Sequence, residues 1–286
     1  MSATMDGTSV ETVGVRHPWN QDFTWQDRVG PFATLTEEQV AAFDREGFVV
    51  VPDILNANEV AAALVETDRF EAEIEAFLAT RADGRFSIAE KGAITFTTHL
   101  VMKSPALATL SKHPTIVGIC SDLVGPDVDL YWDQAVYKKP EKPRRFPWHQ
   151  DNGYAYVEPQ QYLTVWIALT DATVDNGCPV VTPRLHRDGT LTHTYVDPLG
   201  FECLSNPAGT VTAPVAAGGA VVFSSLTPHL TGPNTSDAVR KAYILQYAPE
   251  GAEVLRGDPA AGPAATRESC TNEGRQYPVL RGGVAT

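Results

Sequence analysis

The chain has 286 residues, 43% hydrophobic and 20% charged, the proportions of a globular protein that buries a sizeable core. A formal net charge of -13 argues against a nucleic-acid partner, which calls for clustered Lys and Arg. The four cysteines, Cys120, Cys178, Cys203 and Cys270, stand far apart with no Cys-x-x-Cys pair, which excludes a usual zinc-finger spacing and gives no sign of a disulfide scaffold. No basic segment leads an apolar run at the N-terminus, and no stretch reaches the roughly 18 apolar residues of a membrane span. A soluble cytoplasmic protein without a membrane or nucleic-acid partner, monomeric or homodimeric, is expected.

Residues 1–33 carry no clear period and read as an irregular arm, with Trp19, Phe23 and Trp25 expected to pack on the body. From Thr34 to Glu46, Leu35, Val40 and Phe43 form an apolar stripe behind a Thr36 N-cap, which predicts a short helix ended by Gly47. The β-branched run Phe48-Val49-Val50-Val51 predicts a buried strand closed by Pro52-Asp53. A second helix, capped near Asn56 or Asn58, runs through Val60, Leu64, Ile74 and Phe77 to about Ala79. Its acidic residues Glu66, Asp68, Glu71, Glu73 and Glu75 read as a solvated face rather than a metal site. Shorter helices are expected near Pro105–Lys112 and Thr115–Val124.

From Val128 the texture changes to short apolar or alternating runs at 128–138, 162–170, 179–182, 191–196, 210–215, 219–224 and 239–248, separated by Pro, Gly, Asn and Asp. Such runs predict a sandwich or jelly-roll barrel. Helices first and strands after give an α+β fold in which N-terminal helices buttress the barrel. With no repeat and no linker, a single domain over 1–286 is expected: an arm to 33, a mainly helical part 34–127, a barrel core 128–248 and a tail 249–286. The apolar Tyr277-Pro278-Val279-Leu280 is expected to dock back.

The chemistry centres on Trp148-His149-Gln150-Asp151. On an extended strand His149 and Asp151 point the same way and can reach one metal ion. His229, delivered after the run Val221–Ser224 and a polar turn, would complete two imidazoles and one carboxylate. That is the facial set of non-haem Fe(II) oxygenases, which leaves coordination positions open. A lone histidine is more often a hydrogen-bonded structural residue, and His17, His113 and His193 are read so. The turn formers Gly232-Pro233-Asn234-Thr235-Ser236-Asp237 predict a hairpin centred between Asn234 and Thr235. In that register Arg240 lies across from His229, and its planar fork reaches into the same cavity to pair with a carboxylate; a surface strand residue is the alternative. A 2-oxo acid that chelates iron at its other end would satisfy both sites.

Other segments extend the pattern: Gly47-Phe48-Val49-Val50, Ser104-Pro105-Ala106-Leu107, His113-Pro114, Leu123-Val124-Gly125, Val165-Trp166-Ile167-Ala168-Leu169 and Asp175-Asn176-Gly177-Cys178-Pro179. With the His-x-Asp motif, His229 and Arg240 in this order, the chain from about Thr34 to Pro249 resembles the phytanoyl-CoA dioxygenase (PhyH) family of Fe(II)/2-oxoglutarate oxygenases. The resemblance implies a double-stranded β-helix, with His149, Asp151 and His229 on Fe(II) and Arg240 on the distal carboxylate of 2-oxoglutarate. By matching position it also implies Gln134 and Trp166 in the co-substrate site and a Thr231 hydroxyl contact. Where the family usually has Pro-Gly-Ser-His, this chain has Pro183-Arg184-Leu185-His186, which puts that loop's contacts in doubt.

The implied reaction consumes O₂ and 2-oxoglutarate, releases succinate and CO₂, and oxidises a C–H bond of a small-molecule substrate. Related halogenases carry Gly or Ala where this chain has Asp151, so hydroxylation is expected over halogenation; desaturation, epoxidation and ring formation stay open. A zinc hydrolase on the same triad and a non-catalytic barrel binding a small acid are the competing readings. Substrate contacts are expected from Phe96–Lys103, Tyr154, Tyr156 and the tail, with His99, Tyr137 and Tyr154 as pocket candidates. The Ala-, Gly-, Val- and Asp-rich composition suggests a GC-rich bacterial source, where many small members of the family tailor secondary metabolites such as antibiotics.

Overall fold

Polar residues at the segment ends decide where the N-terminal helices begin. The structure, a computed structural model, describes residues 14–286. Helix α1 (Glu37–Glu46) opens on a capping box between Thr36 and Gln39 and closes at Gly47, whose φ of 84° suits a residue without a side chain. A Cβ there would also run into His186 and Thr227. After β1 (Phe48–Val51), Asn56 and Glu59 repeat the capping box for α2 (Ala57–Ala79). Short strands β2 (Arg85–Phe86) and β3 (Ala89–Glu90) precede β4 (Ile94–Thr98), which leads to α3 (Pro105–Leu110) and α4 (Pro114–Leu123), each with proline in its first turn. No helix among the described residues is long and apolar enough to cross a membrane.

The remainder is strand: β5 (Val128–Lys138), β6 (Tyr156–Glu158), β7 (Leu163–Ala168), β8 (Pro179–Val181), β9 (Thr194–Val196), β10 (Gly200–Glu202), β11 (Val211–Thr212), β12 (Ala220–Ser224), β13 (His229–Thr231), β14 (Arg240–Pro249), β15 (Glu253–Arg256), β16 (Thr266–Ser269), β17 (Pro278–Arg281) and β18 (Val284–Ala285). A large antiparallel sheet runs β1-β12-β7-β14-β5-β4-β3-β2, and the tail joins it through β17 on β5. A smaller sheet, β11-β8-β13, is extended by the bridge His149↔His229. Together they make the double-stranded β-helix of an α+β fold.

Period-two alternation separates two cores. Ala135, Tyr137, Val165, Ile167, Tyr243 and Leu245 face the helices, whereas Val136, Trp166, Ala168, Phe223, Ala242 and Ile244 face the barrel interior. Each large side chain so buried contributes about 1.5–3 kcal/mol. The tail docks as expected, with Val279 and Leu280 buried and the Tyr277 hydroxyl 2.8 Å from Ser111 Oγ. In the arm, Trp25 is buried and donates to Asp44, while residues 1–13 of the expected arm lie outside the described residues. The acidic face of α2 is only partly solvated: Asp68 accepts from Lys241 and Tyr137, and Glu71 and Glu75 pair with Lys139. These acids fasten the helix to the sheet.

The predicted hairpin does not form. His229 pairs with Val181 in the small sheet, whereas Arg240 pairs with Lys138 in the large one. Pro233 has no N–H with which to continue a ladder. Instead the Asn234 amide donates to Lys138 O and Ala238 O, and its oxygen accepts from Ser236. Residues 232–239 therefore form a corner between sheets.

Candidate active site

His149 and His229 exchange both backbone hydrogen bonds, at 2.9 and 2.8 Å, which brings their rings to 4.2 Å. Asp151 does not follow on the same strand. After Gln150 the chain turns into a 3₁₀ turn, Asp151–Gly153, and that turn swings the carboxylate back towards the imidazoles. Asp151 Oδ1 lies 3.9 Å from Nε2 of each histidine, and the three ligand atoms fall within 4.8 Å of one another. No other cluster of three such side chains able to hold an ion occurs among the described residues.

Hydrogen bonds fix which atoms face inward. His149 Nδ1 lies 2.8 Å from Pro147 O and His229 Nδ1 lies 3.0 Å from Thr227 O. A carbonyl can only accept, so each Nδ1 carries a proton and each Nε2 is turned to the shared point. Burial, and next the nearby His229, holds the His149 imidazole well below its usual pKa, so it is neutral as a ligand must be. Thr164 Oγ1 donates to Asp151 Oδ2 at 2.5 Å, leaving Oδ1 to the shared point.

The motif's backbone is held in turn by Gln150, whose fully buried amide donates to Gly189 O and Leu226 O and accepts from Leu191 N. His193 Nε2 accepts from Gln150 N, and its ring fills the space where a Cβ on Gly153 would stand. His193 is thus structural, as read from sequence, but it braces the metal motif. Thr164 and Gln150 were not singled out: Gln150 lay inside the quoted motif, whereas Thr164 had no local signal.

Across the barrel, Arg240 is fully buried and its guanidinium lies 5.0 Å from the centre of the Trp166 ring. Among the described residues none of its three nitrogens has a hydrogen-bond partner. Burial draws its pKa down to about 9, still protonated at neutral pH. The adjacent Lys138 is equally buried, yet its ammonium donates to the carbonyls of Arg144, Thr231 and Gly232. Of these two buried cations, it is Arg240 whose donors are unmet among the described residues. A desolvated guanidinium without acceptors is unfavourable until an anion meets it, and the carboxylate of a dicarboxylic acid fits that demand.

Gln134, Ile244 and Trp166 stand side by side on three strands, which puts Gln134 and Trp166 on the inner face with Arg240. Thr231 is buried at the end of β13. Of the pocket candidates, Tyr154 meets the His149 ring at 5.4 Å. His99 adopts φ 57°, lies 4.3 Å from the Trp132 ring and has Arg275 Nη1 at 3.3 Å from its Nε2. Tyr137 is on the wrong face: it points at α2, where its hydroxyl donates to Asp68 and lies 2.9 Å from Thr67 Oγ1. His186 lies away from the triad, edge-on to Trp25 at 4.4 Å with Nε2 3.1 Å from Asp44 O. The departing loop is tied to α1 by Arg184, which takes φ 73° and pairs with Glu46.

Residues 43–242 match the profile of the phytanoyl-CoA dioxygenase (PhyH) family. The chain belongs to the PhyH family. It is accordingly a non-haem oxygenase that uses iron and 2-oxoglutarate. This PhyH-family chain is 27% identical over 244 residues to an ectoine dioxygenase of Bordetella bronchiseptica, covering 76% of this chain and 77% of that protein. It is 28% identical over 231 residues to a methylphosphonate hydroxylase of Gimesia maris, covering 75% and 81%. Among solved structures, the 2-oxoglutarate-dependent carbocyclase SnoK from nogalamycin biosynthesis superposes with a TM-score of 0.66 at 25% identity, covering 88% of this chain and all of that one. EctD from S. alaskensis, solved with 2-oxoglutarate and 5-hydroxyectoine, gives 0.64 at 22% identity, covering 92% and 94%.

Proposed function

We propose that this PhyH-family oxygenase hydroxylates an unactivated C–H bond of a small natural product, with His149, Asp151 and His229 holding Fe(II) and Arg240 holding the distal carboxylate of 2-oxoglutarate. The observation that carries the reading is a fully buried, unpartnered guanidinium in a barrel that also holds a bare two-histidine, one-carboxylate set. When bound, Fe(II) with 2-oxoglutarate and O₂ supplies the oxidative decarboxylation to succinate and CO₂ that oxidises the substrate.

The chain's own work is orientation. The carbonyls of Pro147 and Thr227 hold each imidazole with Nε2 forward, and Thr164 occupies one oxygen of Asp151 so that the carboxylate offers a single donor. Three protein ligands leave positions open for co-substrate and O₂. Trp166 forms a flat floor under the Arg240 guanidinium, Gln134 lies on the same face, and both are read, with the buried Thr231, as the co-substrate wall. Asp151 supports hydroxylation over halogenation, because its carboxylate fills the position a halide would need. The relatives that act on ectoine and methylphosphonate, and the neighbour from nogalamycin biosynthesis, support a small-molecule substrate. The whole chain, 1–286, is read as one catalytic unit.

Purified protein given Fe(II), ascorbate and 2-oxoglutarate should form succinate slowly even without substrate, and His149→Ala or Asp151→Ala should abolish it. Succinate formation that survives both substitutions defeats the triad assignment. Zinc in freshly isolated protein, with no O₂ consumption after Fe(II) loading, favours the hydrolase reading instead.

A further inference from the structure

Among the described residues the strands β9 and β10 pair only with each other, as a two-stranded sheet separate from both barrel sheets. Their register sets Tyr195 directly across from Phe201, with ring centres 5.4 Å apart. Phe201 meets Tyr154 at 5.3 Å, and Tyr154 meets His149 at 5.4 Å. A continuous line of rings therefore runs from solvent to a member of the metal set. Behind His149 it continues into Phe146, at 4.7 Å.

This line is not ordinary core. Tyr195 is 47% exposed and Tyr154 39% exposed, although each touches another ring. Single exposed aromatics need no explanation, but a contiguous run of them beside a catalytic centre marks a binding face. The contacts are edge-to-face, with interplanar angles of 82° for Tyr154–Phe201 and 76° for Tyr195–Phe201, so flat ring surface is left over for a further partner.

The hairpin is also built to lie where it does. Gly200 adopts φ 117°, and a Cβ on it would stand 2.7 Å from the Tyr154 hydroxyl. The close approach of hairpin and metal loop thus depends on the missing side chain. Beyond β10, Cys203 N donates to Trp148 O at 2.8 Å, and Leu204 bridges to Trp148. Glu202 pairs with Arg145 at 2.9 Å. The hairpin is thereby anchored to the residue that precedes His149.

We infer that the hairpin 194–202, through Tyr195 and Phe201 together with Tyr154, is the substrate-selecting wall of this enzyme, and that the substrate carries a planar aromatic ring system stacked there. The inference rests on the proposed oxygenase site and specifies what that site accepts.

The test uses the full chain loaded anaerobically with Fe(II) and 2-oxoglutarate. Calorimetric titration compares two probes of one skeleton, naphthalene-2-methanol and its saturated counterpart decahydronaphthalene-2-methanol. The wild type should bind the aromatic probe about tenfold more tightly, the ratio that one or two good ring contacts provide. Tyr195→Ser and Phe201→Leu should each cut that preference to about threefold or less. Tyr195 is largely exposed and leucine keeps most of the phenylalanine bulk, so thermal melting should show both variants folded. Equal affinities for the two probes, no measurable binding of either, or a preference unchanged in both variants overturns the inference. Wild-type succinate formation without substrate is measured alongside: if it is absent the oxygenase-site reading fails, and if it is present with no aromatic preference only the wall fails.

Discussion

Replacing Arg240 with methionine should change stability and ligand binding in opposite directions. In the ligand-free protein the guanidinium is fully buried and without a partner. Burial lowers its pKa from 12.5 to about 9, and at about 1.4 kcal/mol per tenfold that fall corresponds to about 5 kcal/mol against the charged form. Its folded pKa is depressed, so the penalty is in force throughout the pH range below about 9, including neutrality. The contact with Trp166 offsets about 1–2 kcal/mol of this. Methionine fills similar space without charge, so ligand-free Arg240→Met should be more stable by about 3 kcal/mol. With 2-oxoglutarate present the sign reverses, because truncating one member of a desolvated charge pair costs about 2–5 kcal/mol, roughly 30- to 5,000-fold in Kd. Urea unfolding of the metal-free proteins measures the first effect, and anaerobic calorimetry with Fe(II) measures the second. A variant that is less stable than wild type and still binds 2-oxoglutarate normally would refute both the anchor and the penalty.

Thr164→Val removes the hydroxyl that holds Asp151 Oδ2 and should weaken Fe(II) affinity about 10- to 100-fold, read by competition with a chelator; unchanged affinity would mean that Thr164 does not set the carboxylate. Asp133 is fully buried and accepts from Leu100 N, Val101 N and Tyr243 through one oxygen, and burial raises its pKa to about 6. Its contribution to stability is therefore complete below about pH 4 and lost as pH rises through 6, a swing of about 3 kcal/mol. Asp133→Asn should gain on the wild type by that amount between pH 4 and 7.5 in denaturant titrations, and a pH-independent difference would contradict the assignment. Arg184 holds φ 73°, so Arg184→Ala, which keeps the strain and loses the Glu46 contact, should melt about 2–4 °C below Arg184→Gly.

Much of this architecture was legible because its signals are local. Thr36 with Gln39 and Asn56 with Glu59 are capping chemistry written within four residues, and the helix starts follow them. The strands from Val128 onward announced themselves by period and turn formers. The metal set was found from the spacing of His149 and Asp151 and from the strand leading to His229, although a 3₁₀ turn rather than an extended strand brings the aspartate in. What was missed depends on pairing between distant segments. The run Gly232–Asp237 marks a reversal, but no local rule says which strand receives the returning chain. β4 is a short piece paired mostly with the distant β5, and β6 pairs with β15 about a hundred residues on. Tyr137 could have been excluded: three positions from Gln134 on one strand, it must face the other side. Thr164 and the aromatic hairpin acquire meaning only once folding sets them beside Asp151 and His149.

The corner at 232–239 makes the gap between the metal set and the guanidinium a property of the barrel's cross-section. Residues inserted between Thr231 and Arg240 would lengthen a surface loop and leave both ladders in register. Phe223 and Ile244, both in the buried interior cluster, would then act as spacers for the 2-oxoglutarate proposed to lie between triad and arginine. On the proposed assignment, the length of diacid accepted would be set by the interior packing, and thinning that packing would be the route to a longer co-substrate.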